Sequence, residues 1–323
     1  MKVTIERLEY VLAPNAEDGD RLKAENPDWR IDDIQVKTGI KTRYIASLDQ
    51  TALDLAIQAA EKLLGSGVDR KRIQATIFVT QSPDYNLPTS ACIAQYRLGL
   101  STASLAFDIN LGCSGFVYGL SVGGALIESG VCENVLLLCA DTYSKYIDKA
   151  DRTCRPVFSD AGSAALLVRS EDEALGPFEL GTDGFGYQNL IVPNSGARIQ
   201  AATARQLHMD GMKVFMFSMA KVPLCVDALL AKAKLEVGDV DLFVFHQASA
   251  IVIENIVRRL RLPQEKVFLN FQNVGNTVSA SIPIALKDAV EAGCLKPGAL
   301  VMMVGFGVGY SWGACLLRWK EIA

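Results

Sequence analysis

The chain passes twice through the same order of buried strands and helices, and this constrains its fold more than any other feature. Ile73–Gln81 (Ile-Gln-Ala-Thr-Ile-Phe-Val-Thr-Gln) parallels Val240–Gln247 (Val-Asp-Leu-Phe-Val-Phe-His-Gln). Ala125-Leu-Ile-Glu-Ser-Gly-Val-Cys-Glu-Asn-Val-Leu-Leu-Leu parallels Ala289-Val-Glu-Ala-Gly-Cys-Leu-Lys-Pro-Gly-Ala-Leu-Val-Met-Met. From Gln81 to Cys113 is 32 residues and from Gln247 to Asn276 is 29, so Gly112-Cys113 and Gly275-Asn276 fall at equivalent strand-to-helix turns. Strands alternating with helices imply mainly parallel sheets covered by helices, an α/β fold. Chance likeness is the competing reading, because short apolar runs recur in all α/β chains. We divide the chain into an N-terminal half, 1–170, and a C-terminal half, 171–323. Two such halves face to face would bring Cys113, His246 and Asn276 to one pseudo-twofold site.

The periodicities predict strands over 1–12, 73–80, 104–109, 135–140, 164–168, 239–245, 267–271 and 300–304. Helices are predicted over 51–65, 89–99, 212–230, 249–260 and 279–292, with Gly65 ending the first. The polar stretches 14–33 and 194–205 read as loops, the former with room for a short helix. The longest uncharged run, Pro297 to Leu317, has the length of a membrane span, but its five glycines favour two short buried strands around a turn.

Cys113 carries the chemistry. Ser104–Ile109 leads as a strand into Gly112-Cys-Ser-Gly115, and a helical pattern with Phe116, Leu120, Leu126 and Ile127 on one face follows. A thiol at a helix N-terminus meets unpaired N–H groups and the positive end of the helix dipole. That setting is expected to lower its pKa and favour a nucleophile. The other seven cysteines read as small buried hydrophobes. His246 ends a buried strand, a position that commonly lines sites in parallel sheets. A structural histidine is the alternative for it, and a helix N-cap the alternative for Asn276.

Half of the residues are hydrophobic and the net charge is −4, so a large core is expected, and neither nucleic acid nor an anionic membrane is an expected partner. The charged, strand-like start Met-Lys-Val-Thr-Ile-Glu-Arg is no secretory signal. Without that signal, or any Cys-x-x-Cys or Cys/His ligand spacing, the eight cysteines read as reduced thiols in a cytoplasm, with no zinc.

Gly112-Cys113-Ser114-Gly115-Phe116, His246-Gln247-Ala248 and Gly275-Asn276-Thr277 resemble the Cys-His-Asn triad of β-ketoacyl-ACP synthase III, in the thiolase superfamily. Ordered matches extend the resemblance over nearly the whole chain: Lys37–Arg43, Asp151–Thr153, Phe158–Ala164, Met209–Phe215 and Gly307–Gly313. It implies a thiolase-like five-layered αβαβα fold built from two duplicated halves, a homodimer, and no metal or redox cofactor. By resemblance, Cys113 takes an acyl group from a CoA or acyl-carrier-protein thioester. A malonyl thioester then loses CO₂, and His246 and Asn276 hold its enolate. Backbone N–H groups of Cys113 and Gly309 would form the oxyanion hole. Substrate contacts would fall at Leu87, Lys37, Arg152, Phe215 and Ser249, with Leu87 reaching across the dimer into the acyl pocket.

The chain departs from the family pattern at several points. Asp33 stands where a tryptophan stacks on the CoA adenine, Lys37 replaces an arginine, and Ser249 replaces an asparagine that contacts pantetheine. Met216 and Ile251 occupy two basic positions used in carrier-protein docking, and Leu87 replaces a common phenylalanine. These changes point to a specialised fatty-acid or polyketide-type pathway with its own donor. The competing functions are a same-fold acyltransferase to an amine or hydroxyl, a silent partner subunit of a heterodimer, and a cysteine hydrolase. The complete triad opposes the silent subunit, and the need for an enolate stabiliser at Asn276 favours condensation over simple transfer or hydrolysis. The glycine loop at 307–309 leads into a strand, which excludes a dinucleotide fingerprint.

Overall fold

The computed structural model describes residues 1–199 and 205–320. Along the first part run β1 (Val3–Leu12), β2 (Asn15–Asp18), α1 (Gly19–Glu25), α2 (Ile31–Thr38), β3 (Thr42–Ile45), α3 (Ala52–Gly65), β4 (Ala75–Val79), α4 (Ser90–Arg97), β5 (Leu105–Ile109), α5 (Gly115–Glu128), β6 (Asn134–Asp141) and β7 (Ala161–Arg169). The second part carries β8 (Leu175–Thr182), β9 (Leu190–Ile191), β10 (His208–Met209), α6 (Gly211–Ala233), β11 (Leu242–Phe245), α7 (Ala250–Leu260), α8 (Phe271–Val274), α9 (Ser281–Glu291), β12 (Leu300–Gly307) and β13 (Ser311–Arg318).

The duplication is visible in the sheets. The first has the order β1-β7-β6-β4-β5 and the second β8-β13-β12-β11. In both, the two strands entering the site pair in parallel (β4 with β6, β11 with β12), and the next two pairings outward are antiparallel. The counterpart of β5 is not a full strand. Val267 bridges Phe243 in parallel, but helix α8 begins four residues later. The predicted strand over 267–271 is cut short because the Gln247 side chain takes over its partners: it donates to Phe268 O at 3.3 Å and accepts from Asn270 N at 3.0 Å.

Side-chain alternation along the strands sorts the core into five layers. Phe78, Leu136, Leu138 and Leu166 face outward onto α3 and α4. Ile77, Val79, Leu137 and Leu167 face inward onto α5 and α9, which also meet Leu242, Val244, Val301 and Met303 of the second sheet. Phe243, Phe245, Met302 and Val304 face outward onto α6 and α7. The layers are therefore α3/α4, sheet, α5/α9, sheet, α6/α7, the αβαβα order expected. Fully burying one such Leu or Phe stabilises by about 1.5–3 kcal/mol, so these strand faces are the main drive for the stack.

Glycine lets the central helix lie close. A Cβ on Gly115, Gly119 or Gly123 would come within 2.3, 2.6 and 2.8 Å of Val79, Leu137 and Leu167. These positions recur every four residues and place one stripe of α5 directly on the first sheet. The uncharged run Pro297–Leu317 forms the hairpin of β12 and β13, as expected. The polar stretch 14–33 holds the short helix allowed for it, α1, and the short strand β2, which was not expected. The buried Glu17 draws it onto Arg43 and Arg155, and Arg155 also pairs with Glu25. Residues 200–204 of the expected loop 194–205 lie outside the described residues.

Candidate active site

The ends of β5 and β11 and the two turns that follow meet between the sheets. After β5 the chain turns through Gly112, whose carbonyl accepts from Gly115 N–H at 2.7 Å, and α5 begins at Gly115. Cys113 therefore sits just ahead of the helix, and it is 6% exposed. Strand β12 of the second sheet passes directly behind it. A Cβ on Gly305 would lie 2.8 Å from Cys113 O, and one on Gly307 would lie 2.8 Å from Cys113 Sγ. Glycine is required at both by this approach.

Burial pushes the Cys113 thiol up to about 12, and the charge of Asp141 adds to the shift. The N–H groups of Val308 and of Cys113 itself act in the opposite direction, toward thiolate. The lowered pKa expected at the helix start is thus overturned. Loss of water around the sulfur outweighs the partial charges of the turn.

His246 follows β11, and its N–H donates to Val304 O at 2.8 Å. Its Nδ1 lies 2.6 Å from Ser281 Oγ. Burial lowers the imidazole to about 3, so the ring is neutral. In the tautomer in which Ser281 donates to Nδ1, the proton is carried on Nε2. Asn276 is locked by backbone bonds to the other half: it donates to Val157 O at 3.0 Å and accepts from Ser159 N at 2.9 Å. Its Oδ1 accepts from Val278 N at 3.0 Å, which leaves the Nδ2 hydrogens free. Gly275 precedes it with φ +76°, where a Cβ would also strike Ser159 Cβ at 2.8 Å.

Cys113, His246 and Asn276 line one cavity of about 330 Å³. Phe215 and Ser249, both singled out in the sequence, share its wall with Thr38 and Phe306. Lys37 and Arg152 are exposed and do not line it, although Lys37 adjoins Thr38 at its edge. Leu87 is 83% exposed on the surface. Asp33 forms an exposed ion pair with Arg30 at 2.6 Å. Val308, whose N–H acts on the Cys113 sulfur together with that of Cys113 itself, stands one residue before Gly309, which turns the chain at φ +134°.

Three residues at the site escaped the sequence reading: Val308, Ser281 and Asp141. Asp141 is fully buried and joins the halves. It accepts from Gln81 N–H at 2.8 Å in one half and from Ser279 O–H at 2.6 Å in the other. Burial raises its carboxyl to about 7 against these hydrogen bonds. An acidic residue closing the apolar run 135–140 was the available signal.

Family models for 3-oxoacyl-[acyl-carrier-protein] synthase III match residues 107–184, and for its C-terminal part residues 230–319. A β-ketoacyl-[acyl-carrier-protein] synthase III of Caldanaerobacter subterraneus is 37% identical over 297 residues, 89% of each chain. The chain belongs to the 3-oxoacyl-[acyl-carrier-protein] synthase III family. It is an acyl-transferring condensing enzyme of that type. Solved members superpose closely. A 3-oxoacyl-(acyl-carrier-protein) synthase III matches at TM-score 0.94 and 42% identity, covering 99% of this chain and 100% of that one. The priming β-ketosynthase from the R1128 polyketide biosynthetic pathway matches at TM-score 0.93 and 28% identity, covering 99% and 97%. Among the described residues no group of three His, Cys, Asp or Glu could hold a metal ion.

Proposed function

We propose that Cys113 is the acyl-carrying nucleophile of the condensation, and that His246 and Asn276 hold the enolate. The observation that carries this is the convergence of the three on one cavity, with His246 Nε2 and Asn276 Nδ2 unpaired among the described residues. In the first half-reaction a C–S bond to Cys113 forms as the donor thioester bond breaks, and the thiol proton ends on the departing thiol. In the second, a malonyl thioester loses CO₂, and the electron pair of the broken C–C bond becomes an enolate. Two neutral donors stabilise that oxygen without supplying a proton to it, which keeps the carbon nucleophilic. The carbanion attacks the acyl-Cys113 carbonyl, and collapse releases a β-ketoacyl thioester and the Cys113 thiolate, which takes a proton from solvent to restore the thiol.

We assign the oxyanion donors to the N–H groups of Cys113 and Val308, in place of Gly309, because Val308 N–H already acts on the sulfur. Phe215 and Ser249 would contact the pantetheine arm in the cavity. Lys37 and Arg152 would meet the donor's phosphates outside it. The roles need only side chains and backbone N–H groups of this protein and its thioester substrates. Apolar Met216 and Ile251 are 61% and 47% exposed. Together with the acidic Asp33 they favour a dedicated carrier protein over CoA as donor. We further propose a cytoplasmic homodimer. All eight cysteines are free thiols, and β5 is an edge strand whose Leu105 is 43% exposed.

The test is intact-mass spectrometry of wild type and Cys113→Ala with acyl thioesters, followed by a malonyl thioester. A mass gain confined to wild type, then lost with formation of a β-ketoacyl product, is the expected result. An adduct that persists until an amine or alcohol is added would overturn condensation.

A further inference from the structure

A second cavity, of about 200 Å³, lies beside Cys113 and is separate from the one described above. Val308, whose N–H acts on the Cys113 sulfur, lines it, and Leu190 lines both cavities. Leu207, Tyr143 and Cys113 also pack in one cluster. An acyl group on Cys113 would extend into this space. At roughly 30 Å³ per small group, it holds about seven non-hydrogen atoms.

Its lining is not wholly apolar. Tyr143 O–H donates to Gln81 Oε1 at 2.8 Å. Gln81 lines the cavity, and with Oε1 taken by that bond its Nε2 has no hydrogen-bond partner among the described residues. The residue is pinned elsewhere as well. The backbone N–H of Gln81 donates to Asp141 at 2.8 Å, which fixes the main chain that carries the side chain, and Gln81 Oε1 lies 2.5 Å from where a Cβ on Gly112 would stand. It is thus packed against the residue before the nucleophile. An apolar acyl chain in this space would strip water from the Gln81 N–H groups and replace it with nothing, which is costly.

We propose that this enzyme selects an oxygenated primer, an acyl group bearing a hydroxyl or carbonyl oxygen near its distal end, with Gln81 donating to that oxygen and Tyr143 orienting Gln81. The proposal rests on Cys113 being the acyl carrier. The chemical step is unchanged: the thioester C–S bond breaks, the bond to Cys113 forms, and the departing thiol takes the proton.

The test uses N-acetylcysteamine thioesters, which bypass carrier recognition. The primers form two pairs of near-equal shape: 3-hydroxybutyryl with 3-methylbutyryl, and 4-hydroxybutyryl with pentanoyl. Acylation rates of the full-length enzyme are read by intact mass. A hydrogen-bonding site rejects an analogue lacking the polar group by roughly tenfold or more, so the hydroxylated member of at least one pair should react that much faster. Gln81→Leu should erase or reverse this preference while still accepting the apolar member. Tyr143→Phe should weaken the preference. Retained acylation by pentanoyl thioester shows that each variant is folded. Equal or faster reaction of the apolar member in both pairs, or a ratio unchanged in Gln81→Leu, overturns the proposal and leaves the nucleophile standing. Absence of any adduct on Cys113 with all four primers sinks the nucleophile assignment and this inference with it.

Discussion

Replacing His246 with glutamine tests whether the site holds a neutral imidazole. The ordinary histidine value is 6.5, and burial lowers it to about 3 in the folded protein. Below pH 6.5 the unfolded chain therefore binds a proton that the folded chain refuses. Stability linked to His246 is complete above pH 6.5 and is lost as pH falls toward 3. From pH 7.5 to pH 5 that loss is about 2 kcal/mol. Any folded value at or below about 4 gives nearly the same figure, because the folded ring stays uncharged at pH 5. Asp141 titrates in the opposite sense: its folded value of about 7 lies above the ordinary 3.8, so it adds stability as pH falls. It is present in both proteins and cancels in their difference. Urea unfolding of wild type and His246→Gln at pH 7.5, 6 and 5, at one protein concentration, gives the quantity directly. The wild type should lose about 2 kcal/mol relative to the variant between the two extremes. A difference that stays constant within about 0.5 kcal/mol would refute the reasoning, since the ring would then exchange protons equally in both states.

Four further outcomes follow from the geometry. Gly307→Ala places a methyl 2.8 Å from Cys113 Sγ, so acylation should be abolished while unfolding free energy falls by about 1–3 kcal/mol, readable by intact mass and urea melts. Asn276→Ala should still form the acyl-enzyme but lose roughly 100-fold or more in malonyl decarboxylation, measured as CO₂ release. Ser281→Ala removes the donor to His246 Nδ1 and should lower kcat roughly tenfold with little change in KM. Alkylation of Cys113 by iodoacetamide should rise about tenfold per pH unit from pH 7 to 9.5 with no plateau; a plateau near neutrality would restore the lowered thiol pKa that the helix start implied.

The strands and helices were readable because burial periodicity is a local property. The run 73–80 and the helix 51–65 fell within two residues of β4 and α3. The duplication was readable for the same reason, since each half repeats its own local pattern. The predicted strand at 267–271 failed because a side chain distant in sequence, Gln247, took its ladder partners. The triad residues were legible through the turns that carry them. Ser281 and Val308 were not, because nothing in their local sequence reports a partner distant along the chain, and Asp141 showed only as an acidic residue closing an apolar run, with its partner Ser279 unreported.

Residue order thus settled the α/β class, the repeat and the positions of Cys113, His246 and Asn276. Ionisation was decided by packing. The same helix start that favours a thiolate in isolation is buried against β12, and desolvation there outweighs the dipole. The N–H groups that reach the Cys113 sulfur and the contact between His246 and Ser281 likewise depend on which atoms distant along the chain come within hydrogen-bonding distance. Such distances are properties of the assembled layers, because these contacts join groups far apart in the sequence that the folded stack brings together.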